Sequence, residues 1–119
     1  MGNQNVISKD KIEEVVKRIV ENISPQKIIL FGSYSKKNFN EDSDLDLLII
    51  KKTDLPSHKR GREIFKYLRG LKVPVDIVIY TPEEIKEWKN EKHSFLSKIL
   101  KEGKIIYDRK TKYIDTTMV

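Results

Sequence analysis

The sequence contains no cysteine among its 119 residues. Disulfides and thiolate metal centres are therefore excluded, and its two histidines, His58 and His93, cannot build a zinc site alone. A chain without thiols fits a reducing compartment. Long apolar runs are missing too: no stretch approaches the roughly 20 residues that cross a bilayer. Residues 1–6 have neither a basic segment nor an apolar one, so no secretory signal is expected there. Internal repeats and low-complexity segments are also absent. The expectation is a soluble, cytoplasmic protein of one domain, since a chain of this length is too short for two ordinary ones.

What the sequence does have is charge. Hydrophobic residues make up 38% and charged residues 35%, with a formal net charge of +6 and a pI near 9.4. The lysines are scattered among glutamates rather than gathered in a block. That pattern reads as a solvated surface ahead of a nucleic-acid face. A basic surface of this kind would also attract a polyphosphate or an acidic protein partner.

Hydrophobic spacing outlines the elements. Ile12, Val15, Val16, Ile19, Val20 and Ile23 recur at helical intervals, capped either by Asp10 with Glu13 or by Ser8, and Ser24-Pro25 stops the run. Lys27–Phe31, Leu45–Ile50 and Val75–Tyr80 are short β-branched runs that read as buried strands. Residues 33–37 begin a short helix and residues 38–43 are turn material. Residues 58–71 carry Ile64, Phe65, Leu68 and Leu71 at helical spacing. Thr81-Pro82-Glu83-Glu84 is a helix start with a capping box, and residues 93–102 form a further helix ended by Gly103. Residues 104–107 read as an edge strand. The expected organisation is a flexible segment 1–9, a domain 10–107 and a loose tail 108–119. Helices alternating with short strands predict an α/β (α+β) domain, a small β-sheet flanked by helices. Strand direction is not in the pattern, but the short connector between the first two strands permits antiparallel pairing, so a mixed sheet is expected.

The chemistry concentrates between Phe31 and Lys52. Gly32-Ser33 breaks a strand in a turn that can wrap a phosphate, and after ten intervening residues comes Asp44-x-Asp46. Two carboxylates two apart on an extended chain face the same way and repel. A hard divalent cation such as Mg²⁺ relieves that repulsion, and one carboxylate can bridge two such ions. Asp76, near the start of another strand, extends the pair to three. By itself the Asp42-Ser43-Asp44 segment reads as an Asx turn, and Asp76 as a side chain bonded to nearby backbone. Asp46 inside LDLLII is harder to set aside, because aspartate is depleted in strands.

Gly32-Ser33, Asp44-x-Asp46 and the later strand with Asp76 together resemble the minimal nucleotidyltransferases of the DNA polymerase beta superfamily. In length the chain is most similar to the small antitoxin-type members encoded beside HEPN-domain ribonucleases. The resemblance implies a nucleotidyltransferase fold and ATP as substrate. It implies that Gly32 and Ser33 bind the triphosphate, and that Asp44, Asp46 and Asp76 hold two Mg²⁺ ions. Asp76 would also position or deprotonate the attacking hydroxyl. The implied reaction is transfer of AMP to a hydroxyl, a tyrosine, of a partner HEPN ribonuclease toxin. Two alternatives stand beside it: a non-catalytic binding antitoxin, and a transferase acting on a small molecule or an RNA end. Where relatives often carry a basic residue just after Gly-Ser, this chain has Tyr34, with Lys36 or Lys37 next able to meet the phosphates. The short C-terminal part favours an acceptor supplied by a partner protein. Trp88, Tyr80, Tyr107 and Phe95 form either a partner patch or packing over the domain's own edge, and His58 and His93 read as solvated.

Overall fold

The computed structural model describes residues 7–36, 43–88, 95–111 and, as backbone alone, 113–114. In chain order the elements are α1 (Lys9–Ile23), β1 (Lys27–Phe31), α2 (Ser33–Lys36), β2 (Leu45–Ile50), α3 (Arg62–Tyr67), β3 (Val75–Tyr80), α4 (Pro82–Trp88), α5 (Phe95–Glu102), β4 (Lys104–Asp108) and β5 (Tyr113–Ile114). The strands form one sheet in the order β3-β2-β1-β4-β5. β2 pairs in parallel with β3, whereas the β1–β2, β1–β4 and β4–β5 pairs are antiparallel. The sheet is mixed, as the short connector between β1 and β2 led one to expect.

Each face of the sheet buries its own apolar cluster. Ile12, Val15, Val16 and Ile19 of α1 are fully buried against Ile28, Leu30, Leu45, Leu47 and Ile49, and Ile64 of α3 joins them. On the other face Ile29, Leu48 and Ile50 meet Leu96 and Ile99 of α5. Because both faces are covered, β2 is apolar almost throughout. Asp46 is its one polar residue.

The helix starts follow from local chemistry. Ser8, not Asp10, caps α1: its hydroxyl accepts from the Lys11 N–H at 3.2 Å. Asp10 falls in the first turn, where a negative charge suits the helix N-terminus. At α4 the capping box is reciprocal, with Thr81 N–H donating to Glu84 at 2.9 Å and Glu84 N–H to the Thr81 hydroxyl at 3.1 Å.

Four expectations are corrected. Residues 58–71 do not form one helix: a 3₁₀ turn, Ser57–Lys59, precedes Gly61, and α3 spans only Arg62–Tyr67. Gly70 and Lys72 then turn the chain through left-handed conformations, so the helical spacing outlasts the helix. Phe65 of that pattern is 47% exposed. The strand at 104–107 is interior rather than an edge, because β5, from the expected tail, pairs on its outer side. Two residues were too short a run to show a pattern. At the other end, Ile7 of the expected flexible segment is buried, and its N–H donates to the Tyr34 hydroxyl at 2.9 Å. Finally, β3 is an edge strand, so Asp76 is exposed and needs no buried partner to exist there.

Arg60 ties the segment before α3 to α4. Its guanidinium donates to the Leu55 carbonyl at 2.8 Å, the Ile79 carbonyl at 3.3 Å and Glu84 at 2.6 and 3.3 Å. The Arg60 hydrogen bond is the main reason the Glu84 pKa lies below its ordinary 4.5. A lowered carboxylate pKa stabilises the fold above the unfolded value and is lost as acid protonates the group. Arg60→Met should cost about 1–2 kcal/mol at neutral pH, several degrees in Tm, after allowance for the exposure of Glu84. Thermal melts should show the gap to the parent narrowing as pH falls below 4.5.

Candidate active site

Strand register assembles the site. In the parallel pair Asp46 lies opposite Asp76, and in the antiparallel pair Asp46 lies opposite Phe31. Side chains opposite one another share a face. One transverse row therefore runs Asp76–Asp46–Phe31 across β3, β2 and β1. Asp44 stands two residues before Asp46, just outside β2, and is exposed like Asp76. The row lies on the α4/α5 face, since Leu48 and Ile50 of the same parity pack there.

At the end of β1 the chain turns through Gly32 with φ +74°, a left-handed value that L side chains rarely adopt. The turn also brings the Gly32 backbone against Asp46: a Cβ there would run into the Asp46 carboxylate. Glycine is thus required twice, for its φ and for its missing side chain. Ser33 opens α2. The Gly32 carbonyl accepts from the Ser35 and Lys36 N–H groups at 3.2 and 3.3 Å and from the Ser35 hydroxyl at 2.9 Å. Ser35 is 3% exposed and pins the turn, a role its sequence position did not reveal. A hydroxyl three residues after a turn glycine was the only available signal. Tyr34 packs rather than stacks on a ligand, being fully buried.

The electrostatics follow from this packing. Burial first, then the Asp76 charge, then the Asp44 charge push the Asp46 pKa from 3.8 up to about 6. Both neighbouring acids therefore act on Asp46. Among the described residues, however, no group of three carboxylates or imidazoles is gathered closely enough to hold a metal ion as it stands. The donor set nevertheless fits a hard divalent cation: carboxylate oxygens on one face, one of them held at a pKa that a cation would lower again.

The remaining candidates are more scattered. Lys36 pairs with Glu102 at 3.5 Å, both side chains about half exposed. Lys37 lies outside the described residues, as does His93. His58 is exposed in the 3₁₀ turn. Trp88 and Phe95 are 46% and 54% exposed, and with Tyr80 and Leu96 they line a small cavity of about 120 Å³, while Tyr107 is buried elsewhere in the core. No helix among the described residues is long and apolar enough to cross a membrane.

Known proteins resemble the chain in sequence and in fold. Two Methanocaldococcus jannaschii proteins named "putative protein adenylyltransferase" are each 33% identical to the chain. One match runs over 75 residues, 58% of this chain and 75% of the relative; the other runs over 84 residues, 69% and 78%. Among solved structures, a "putative nucleotidyltransferase" of Sulfolobus solfataricus superposes with a TM-score of 0.65 at 16% identity, covering 92% of this chain and 88% of that one. A chain from a crystal structure of a toxin–antitoxin with AMP-PNP superposes at 0.58 and 24% identity, covering 87% and 76%. At these identities the two structures establish likeness of fold. The sequence model of the nucleotidyltransferase domain matches residues 9–107. The chain belongs to the nucleotidyltransferase domain family.

Proposed function

We propose that the protein transfers AMP from ATP, with Mg²⁺, to a hydroxyl of a partner protein, a tyrosine of a HEPN-domain ribonuclease toxin, and so acts as an antitoxin. The observation that carries this reading is the register row, which sets Asp76 beside Asp46 and Asp46 against the Gly32 turn. The names of the Methanocaldococcus relatives support a protein acceptor. The toxin–antitoxin neighbour with its ATP analogue supports the nucleotide and the kind of partner. The HEPN identity and the tyrosine rest on the family resemblance.

In this reading Gly32 and Ser33 receive the β- and γ-phosphates, the backbone coming close because no Cβ intervenes. Asp44, Asp46 and Asp76 would hold the Mg²⁺, which draws negative charge from the phosphoryl oxygens. Asp76, exposed on the edge strand, is open to an incoming hydroxyl and takes its proton. The acceptor oxygen bonds to the α-phosphorus. The bond from that phosphorus to the bridging oxygen breaks, and pyrophosphate leaves with the electron pair along the Gly32 side.

The test is intact-mass analysis of the neighbouring gene's product after incubation with this protein, ATP and MgCl₂. The expected result is addition of at least one AMP, absent with an Asp44→Asn/Asp46→Asn variant. No added mass, or addition that survives in the variant, sinks the reading. Toxin neutralisation undiminished in the variant would identify a binding antitoxin instead.

A further inference from the structure

A cavity of about 170 Å³ lies between α5 and the β1–α2 turn, beside the carboxylate row; Phe31, Gly32, Phe95 and Ile99 line it, with Lys36 and Glu102. We propose that it seats the nucleobase of the donor nucleotide, with Phe95 as its aromatic wall. The inference rests on the nucleotidyl-transfer reading and adds to it where the donor's base is held.

Position comes first. Phe31 is the β1 member of the row, directly opposite Asp46, and Gly32 borders both the cavity and the Asp46 carboxylate. A nucleotide whose phosphates lie along Gly32 and Ser33 has its base within reach of this cavity. Asp76 lies at the far end of the row on the edge strand, so a base in this cavity leaves the acceptor's approach to Asp76 open.

Chemistry and size agree. The Phe31 and Phe95 rings meet edge to face, centroids 5.7 Å apart at 84°. Phe95 remains 54% exposed, a large apolar surface at the mouth of a site, and a planar base laid against it would remove that surface from water. Pockets that enclose a whole drug-sized ligand run to roughly 300–1,000 Å³. This cavity is smaller and suits a single ring system, with sugar and phosphates outside. At the rim, the half-exposed Lys36–Glu102 pair is weakly held by solvent-screened charge and can exchange bonds with polar atoms of a base at little cost.

The test is calorimetric titration of the full chain in MgCl₂ with ATP and with inorganic tripolyphosphate, which has the phosphates and no base. Phe95 is exposed, so Phe95→Ala should leave the fold intact. It should weaken ATP binding about tenfold or more, the range of base–aromatic stacking. Tripolyphosphate binding should stay within about twofold, and Phe95→Tyr should bind ATP as the parent does. ATP affinity unchanged in Phe95→Ala, or equal losses for both ligands, overturns the proposal and leaves the transfer reading standing. If the parent binds neither ligand, the transfer reading falls first and this one with it.

Discussion

Asp46→Asn should give a folded protein that has lost at least about a thousandfold of its nucleotidyl transfer, yet melts higher than the parent in metal-free buffer. The loss follows from position: Asp46 is the acid shared by the row and the Gly32 turn, and three decades of rate correspond to about 4 kcal/mol, the scale of charge stabilisation at a phosphoryl site. The gain follows from the sign of its pKa shift. With the folded pKa raised from 3.8 to about 6, the folded state prefers the protonated acid. That preference stabilises the fold fully below 3.8 and is lost as pH rises through about 6, beyond which the ionised group opposes folding. At face value the shift is worth roughly 3 kcal/mol. Partial solvation of the carboxyl reduces this to about 1 kcal/mol, or a few degrees in Tm. Melts in EDTA should show the variant ahead at about pH 8 and level with the parent at about pH 4. Adding Mg²⁺ should raise the Tm of the parent more than that of the variant. A variant that melts lower at alkaline pH, or that keeps its transfer activity, contradicts this account of Asp46.

Gly32→Ala should fail in both stability and activity, and Gly70→Ala separates the causes. Both glycines have positive φ, +74° and +88°. An alanine at either pays about 1–2 kcal/mol for the left-handed conformation. At Gly70 nothing lies within 4 Å of the added carbon, so the cost ends there and transfer continues. At Gly32 the added carbon meets the Asp46 carboxylate, and turn or acid must move. The expected cost is about 2–4 kcal/mol, with at least about a hundredfold loss of transfer, since misplacing a reacting group by an ångström is that expensive. Chemical denaturation and a transfer assay on the two variants measure this. Equal behaviour of the two would show that φ alone explains Gly32.

The sequence made some of this legible and concealed the rest for physical reasons. The runs KIILF, LDLLII and VDIVIY announced β1, β2 and β3 because strands covered on both faces are apolar throughout. Asp46 and Asp76 stood out as acids inside such runs, and Gly32, Ser33 and Asp44 as turn residues at their ends. What could not be read was pairing: that Asp76 sits opposite Asp46, and Phe31 on its other side, depends on register, which periodicity does not encode. The edge position of β3 was hidden for the same reason, so a solvated aspartate looked buried. Residues 58–71 misled because Ile64, Leu68 and Leu71 all do face the core, although a 3₁₀ turn, a short helix and a left-handed turn bring them there. Phe95 read as part of a partner patch or of packing over the domain's own edge, and its place beside Phe31 emerged only from the tertiary fold.

The row across three strands has a consequence for quality control. Neighbouring side chains on a strand point to opposite faces, so a slip of β2 by one residue would turn Asp46 into the α1 core and bring its apolar neighbours into the catalytic row. With β2 slipped in this way, Asp46 meets neither Asp76 nor the Gly32 turn. A misaligned chain would be inert and would not spend nucleotide on wrong acceptors. Turnover by this protein thus reports whether β2 has closed in frame.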